Sequence, residues 1–321
     1  MTQARFDVTS FGEMLLRLSI PSGDRLEATK RLDVFPAGAE ANVMSLLARL
    51  DRKTYWVGAL PRNSLGRLAM NALRTADVDT SGIIWNDLGR IGTYYVEFGA
   101  PPRGTQVTYD RAHSCITQLK PDDIDWDSLL NTRLLHLTGI TPALSASCHQ
   151  IILEASQQAR QRGVPISFDI NYRQKLWNEV DAQKTLLPLI QNIELLFCSI
   201  NDAARLFNCK GSDLEISQQM LNISHAKYVV ISIGELGALL WNGKEWLREP
   251  ARETQIIDRL GAGDALAAGV IHGWLDGDLA AGLRNGVTLA ALALSQSGDM
   301  VITNKEELLA LGKNGDSSIT R

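Results

Sequence analysis

Four short apolar runs mark the middle of the chain, at residues 134–140, 165–170, 194–200 and 228–233. Between them apolar positions recur at helical spacing, most clearly over 145–162 and 181–191. Runs this short and continuous are the signature of strands buried on both faces. Their alternation with amphipathic helices predicts βαβ units and a mostly parallel sheet. The opening third has a different texture. Residues 6–18 read as one strand leading into a turn at Pro21-Ser22-Gly23, and 41–50 and 65–75 read as helices. Residues 90–98 and 106–111 alternate like a strand pair, with Gly99-Ala100-Pro101-Pro102 between them as a hairpin connection. We expect one α/β domain over 1–321: a doubly wound, mostly parallel sheet flanked by helices, with a small β lid built from parts of 14–36 and 90–112. Residues 312–321 are polar and read as a frayed tail.

Composition narrows the partners. Hydrophobic residues make up 45% of the 321 and charged residues 21%, enough for a substantial core. A formal net charge of −4 gives no support for nucleic acid or an anionic membrane as the main partner. No apolar run reaches the ~18–20 residues that cross a bilayer. Residues 1–7 lack the basic-then-apolar order of a secretion signal. Cys115, Cys148, Cys198 and Cys209 form neither a Cys-x-x-Cys pair nor a metal spacing, which fits a reduced, cytoplasmic setting. His136 lies in an apolar strand and reads as a core histidine.

The densest chemistry lies in Asp258-Arg259-Leu260-Gly261-Ala262-Gly263-Asp264. Residues 265–275 follow as a helix with Leu266, Val270, Ile271 and Trp274 on one face. A glycine loop opening into a helix lets backbone N–H groups point at an anion, and the helix start adds partial positive charge. Asp264 would set a carboxylate beside that cradle, as phosphoryl transfer to a hydroxyl requires. Gly-x-Gly-Asp is also a common turn, and an Asp at a helix start is often only a cap.

Other candidates follow the same logic. Gly38-Ala39-Glu40-Ala41-Asn42 precedes a helix; its small residues admit close approach, and Asn42 offers a donor and an acceptor to a polyol or else faces solvent. Ser232-Ile233-Gly234-Glu235-Leu236-Gly237 follows an apolar strand and is either a nucleotide loop or a plain hairpin into 238–241. In open parallel sheets ligands bind beyond the carboxyl ends of the strands. Asp169, Asn171, Arg173, Ser199, Asp202 and Gly234 fall there. Arg111, at the end of a lid-type strand, and Arg173 would together pair with a carboxylate or phosphate if they converge; each is otherwise a surface residue.

With these runs in hand, the chain resembles the ribokinase-like (phosphofructokinase-B type) carbohydrate kinases over essentially its whole length. Within that family it looks most like the 2-keto-3-deoxygluconate kinases. The narrower likeness rests on Gly12-Glu13 with Leu16-Arg17-Leu18, on Gly38-Ala39-Glu40-Ala41-Asn42, and on Tyr109-Asp110-Arg111. It also rests on residues 136–140, Phe168-Asp169-Ile170-Asn171-Tyr172-Arg173, Lys175-Leu176-Trp177 and Gly298-Asp299. The resemblance implies ATP as phosphoryl donor, a magnesium ion, and a lid that closes over the sugar. By position, Asp264 is the implied base, and Gly261, Ala262 and Gly263 the implied anion hole. Ser232, Gly234 and Gly237 are the implied nucleotide loop, and Gly261 and Gly263 also face the nucleotide. Gly38, Asn42, Tyr94, Tyr109, Arg111, Asn171, Arg173 and Asp299 line the implied sugar-acid pocket. The implied reaction is phosphorylation of a terminal hydroxyl of 2-keto-3-deoxygluconate.

Three positions depart from the family pattern. Leu260 stands where Thr is usual. Ser199-Ile200-Asn201-Asp202 stands where Asn-x-x-Glu handles magnesium and phosphate, so Asp202 would hold the metal through water. Asp110 occupies the middle of the Tyr-x-Arg element, which places an extra negative charge beside an acid pocket unless it points outward. A kinase for a neutral sugar or a nucleoside, and a catalytically silent sugar sensor, are the competing functions. Exposed lid or edge strands lead us to expect a homo-oligomer.

Overall fold

The computed structural model describes residues 4–99 and 102–313. Its strands, in chain order, are β1 (Phe6–Phe11), β2 (Leu15–Ser19), β3 (Asp33–Ala37), β4 (Thr54–Pro61), β5 (Ile83–Asn86), β6 (Gly92–Glu97), β7 (Gln106–Asp110), β8 (Thr132–Thr138), β9 (Ile166–Asp169), β10 (Leu195–Ser199), β11 (Tyr228–Ser232), β12 (Ala238–Trp241) and β13 (Trp246–Glu249). Its helices are α1 (Ala39–Arg49), α2 (Ser64–Thr75), α3 (Trp126–Leu129), α4 (Ala146–Arg162), α5 (Glu179–Leu189), α6 (Ile200–Phe207), α7 (Asp213–Ser224), α8 (Ala262–Leu275), α9 (Leu279–Leu294) and α10 (Lys305–Lys313).

Nine strands form one sheet in the order β13-β12-β11-β10-β9-β8-β1-β4-β5. All neighbours from β11 to β5 run parallel, and β12 and β13 are antiparallel additions at one edge. Successive residues of a strand face opposite layers, and the cores divide accordingly. Leu135, Phe168, Leu196 and Ile231 join the layer of α4–α7. Leu134, Leu195, Phe197 and Val230 join the layer of α1, α2, α8 and α9. Two buried layers are why these strands read as unbroken apolar runs. No helix among the described residues is long and apolar enough to cross a membrane.

Four strands make a separate small sheet, β3-β2-β6-β7. It has its own core of Leu15, Ala37, Tyr94 and Val96, against which Phe98, Val107, Tyr109 and Leu260 pack. Leu260 comes from the large body, so the residue that replaces the usual Thr spends its side chain on an apolar contact with the small sheet.

Several expectations need correction. Residues 6–18 are not one strand: β1 lies in the large sheet and β2 in the small one. The chain turns at 12–14, where the Glu40 carboxylate packs so tightly on Gly12 that no side chain would fit and Glu13 turns inward to an ion pair. Alternation of apolar residues ran through the break because both strands bury a face. Helix α1 begins at Ala39, so Glu40 and Asn42 lie within its first turn rather than before it. Helix α8 begins at Ala262 and is buried nearly all round, not on one face. Ala267, Ala268 and Gly269 fill its other side, and Gly269 and Gly273 meet the backbone of α9 at Gly286 and Gly282, where a Cβ would collide. Within 99–102 and 312–321, Ala100, Pro101 and 314–321 lie outside the described residues.

Candidate active site

The first intrahelical bond of α8 runs from Ala265 N to Gly261 O at 2.9 Å, which leaves the N–H groups of Ala262, Gly263 and Asp264 ahead of the ladder. Gly261 is the N-cap at φ 84° and supplies no side-chain acceptor. Its left-handed backbone and the Asp299 carbonyl pressed against its Cα both exclude a side chain. Asp258 braces this loop: its carboxylate accepts from Leu260 N at 3.0 Å and from Gly298 N at 3.1 Å.

Asp264, in the first turn of α8, is half-buried, and its Oδ2 accepts from Asn42 Nδ2 at 2.7 Å. Burial pushes its carboxyl up to about 8; the Asn42 bond opposes the shift and the Asp169 carboxylate adds to it. Asn42 is thus turned inward onto the implied base, not toward solvent.

Three cavities meet around this helix start. A cavity of about 100 Å³ is lined by Gly38, Asn42, Tyr94, Tyr109, Arg111, Arg173 and Asp299, with Gly261 and Asp264 on its wall. A second, of about 210 Å³, lies across Gly261–Asp264 and is lined by Asp169, Asn171, Arg173, Ser199, Asp202 and Ser232. The third, of about 660 Å³, is lined by Ser232, Gly234 and Gly237 together with Leu266, Val287, Ala290 and Leu294, and shares Ala262 and Gly263 with the second. Of the residues expected together in the sugar pocket, Arg173 lines both the small and the middle cavity, whereas Asn171 alone is missing from the small one and lines only the middle one. Its backbone sits at φ 41°, its N–H and Nδ2 both reach back to Asp169, and its buried Oδ1 has no partner. The segment 232–237 forms the hairpin expected as one of its two readings, pairing β11 with β12, and also lines the large, mostly apolar cavity.

The two arginines converge on the small cavity but differ electrically. Arg111 is buried and gives its Nε and Nη2 edge to Glu13, with Nε at 2.8 Å from Oε2. Ser114 Oγ donates to the other Glu13 oxygen at 2.5 Å. Arg111 therefore arrives with a resident counter-charge, whereas Arg173 forms an ion pair with no carboxylate among the described residues and donates only to Tyr172 O at 3.1 Å. Asp299 also has a resident partner, Arg17 Nη1 at 2.7 Å, and its other oxygen accepts from the Tyr94 hydroxyl. Asp110 points outward, 53% exposed and paired with Arg90 at 2.7 Å, so its charge does not enter the cavity.

The middle cavity is acidic. Burial raises the carboxyls of Asp169, to about 6, and of Asp202. Ser199, in place of the usual amide, caps α6 by accepting from Asp202 N at 3.0 Å. No cluster of three or more His, Cys, Asp or Glu ligands exists among the described residues. Glu13, Arg17, Ser114 and Asp258 are the site residues that pattern reading assigned no role. The available signal was a charged residue inside an apolar stretch, at positions 13 and 17.

The chain is similar over nearly its whole length to known sugar kinases. The chain is 33% identical over 316 residues to a 2-dehydro-3-deoxygalactonokinase of Haloferax volcanii, covering 98% of this chain and 99% of that one. It is 31% identical over 306 residues to a 2-dehydro-3-deoxygluconokinase of Bacillus subtilis, covering 92% of each. The crystal structure of a 2-dehydro-3-deoxygluconokinase from Thermotoga maritima superposes with a TM-score of 0.89 at 33% identity, covering 96% of this chain and 98% of that one. The pfkB family carbohydrate kinase model matches residues 5–306, and the chain belongs to that family of sugar kinases.

Proposed function

We propose that this sugar kinase transfers the γ-phosphoryl group of ATP to a terminal hydroxyl of a 2-keto-3-deoxy sugar acid, 2-keto-3-deoxygluconate first among them. The observation that carries the reading is one small cavity lined by Arg111, Arg173 and Asp264 together. An acid held by the guanidinium groups leaves the far end of a short chain facing the base. Gly38 would let the substrate approach the backbone. Asn42, Tyr94, Tyr109 and Asp299 would take its hydroxyls, and Asn171, with its free Oδ1, would serve the border with the phosphates. Asp264 would accept the hydroxyl proton while the N–H groups at 261–263 hold the migrating phosphoryl group. Ser232, Gly234 and Gly237 would hold the nucleotide over the apolar cavity. The small sheet would close as a lid over the sugar.

The middle cavity fits magnesium bound largely through water and phosphate. Asp169 and Asp202 supply two carboxylates and no closed protein cage, the arrangement this ion favours beside a polyphosphate. Three acids against two arginines, Arg173 and Arg259, leave the lining net negative and a poor host for a bare polyphosphate, and when bound the ion supplies the missing positive charge. We extend the reading to a single domain over 1–321, a cytoplasmic location, and a homo-oligomer through the outer strands of the small sheet.

A neutral-sugar kinase is favoured by one feature, the Glu13 counter-charge on Arg111. A coupled ADP-release assay over sugar acids, hexoses, pentoses and nucleosides decides. The sugar acid should exceed the best neutral sugar in kcat/KM by at least about tenfold, the worth of one charge-assisted bond of ~1.5–3 kcal/mol. Equal or higher values for fructose or ribose would reject the acid reading.

A further inference from the structure

Arg17 is the largest polar side chain that the fold buries completely, at 1% exposure. It sits on β2 of the small sheet, yet both of its carboxylate partners belong to the large body. Nη2 donates to Asp258 Oδ2 at 2.5 Å, Nη1 to Asp299 Oδ1 at 2.7 Å, and Nε to Ser19 Oγ at 2.7 Å. The guanidinium lies near Phe35 and Phe98, 5.3 and 5.2 Å from the ring centroids. It borders none of the three cavities of the site. What it holds does. Asp258 fixes Leu260 N and Gly298 N, the two loops that close on Gly261. The Asp299 backbone carbonyl presses on Gly261, and its side chain anchors the Tyr94 hydroxyl on the cavity wall.

We infer that Arg17 is a positioning residue for phosphoryl transfer: one internal guanidinium ties the small sheet to the anion-hole loop and neutralises the Asp299 carboxylate on the cavity wall. Two consequences separate this from a role in folding alone. Loss of the fork lets the 258–261 and 298–299 loops drift, which mis-sets the N–H donors at 261–263 and lowers kcat. Loss of the charge leaves two carboxylates unopposed at a wall that must receive an anion. Asp299 then competes with the substrate for Arg111 and Arg173, and KM for the sugar acid rises while KM for ATP moves little.

The test compares Arg17→Lys and Arg17→Gln with wild type, with folding checked by thermal melts. Arg17→Gln keeps bulk and loses charge; kcat should fall about 100-fold, in the range for a displaced anion-hole donor, with KM for the sugar acid up about tenfold or more and KM for ATP within about threefold. Arg17→Lys keeps charge and loses the planar fork; KM should stay near wild type while kcat falls about tenfold. A folded Arg17→Gln with wild-type constants overturns the inference. So does a uniform loss in which kcat and both KM values simply follow the folded fraction. If Arg17→Gln does not fold, Arg17→Lys decides, and a kcat within twofold of wild type overturns the inference. The KM comparison rests on the acid-substrate reading. If wild type turns over only neutral sugars, that reading fails, and the kcat comparison still tests Arg17.

Discussion

Titration of Asp264 offers a direct check on the proposed chemistry. Burial holds its carboxyl at about 8 in the free protein. A base must be deprotonated to act, so activity should rise with pH through this value. At pH 6 only about a hundredth of the free enzyme would carry the carboxylate, and at pH 8 about half, so kcat/KM should climb roughly 50-fold between them. The assay is coupled ADP release with both substrates well below KM, so that the limb reports the free enzyme.

The neighbours make the assignment specific. Asn42 Nδ2 donates to the ionised carboxylate at 2.7 Å and opposes the upward shift. A charge-assisted bond is worth ~1.5–3 kcal/mol, and one pKa unit is about 1.4 kcal/mol. Asn42→Ala should therefore move the limb up by roughly one to two units. Asp169 pushes Asp264 upward, so Asp169→Asn should move the limb down even where it also lowers the plateau. A profile flat between pH 6 and 8 would falsify the assignment. So would a limb that shifts the same way in both variants.

Asp264→Asn should leave nucleotide binding, read by calorimetry, nearly intact and cut turnover by at least about 100-fold. The same variant should be more stable than wild type at pH 8.5 and little changed at pH 4. A carboxyl whose folded value lies above its ordinary one binds more protons folded than unfolded, so wild type loses stability as pH rises from about 4 toward 8. The half-buried setting discounts the gain to about 1 kcal/mol, or ~2 °C in a melt; an equal gain at pH 4 would contradict this origin. Arg173→Ala should raise KM for the sugar acid at least about tenfold more than for a neutral sugar, since a charge-assisted bond of ~1.5–3 kcal/mol is lost only with the acid. Leu260→Thr restores the usual family residue but removes an apolar contact with the small sheet. A melt should fall by about 2 °C, for a loss near 1 kcal/mol, with kcat within about threefold of wild type because the N–H donors at 261–263 are untouched.

Much of this site was legible in the sequence because its chemistry is local. The glycine loop and Asp264 lie within one helical turn, and the strand ends at 169–173 and 199–202 follow from apolar runs that a parallel sheet explains. The arginines at 111 and 173 were legible as cations, but not as a neutralised one beside a free one. That difference is made by Glu13, 98 residues from Arg111 and inside what alternation reads as an unbroken strand. Arg17 was still further out of reach. In Leu16-Arg17-Leu18 the pattern assigns it to the solvent face of a strand, yet its partners lie 241 and 282 residues away.

A buried charge costs several kcal/mol unless it is paired, so these arginines could occupy such positions only once the folded chain had delivered their carboxylates. The same requirement gives the pairs their function. A sheet that buries a cation needing two acids from the large body can dock in few ways, and the acids it claims are the ones that brace the loop at Gly261, the proposed anion hole. Pattern identifies groups that can bear charge. Counter-charges brought from far along the chain decide which of those groups remain free to meet a substrate, and here they leave Arg173 and Asp264 facing the cavity while Glu13 is spent on its wall and Arg17 and Asp258 behind it.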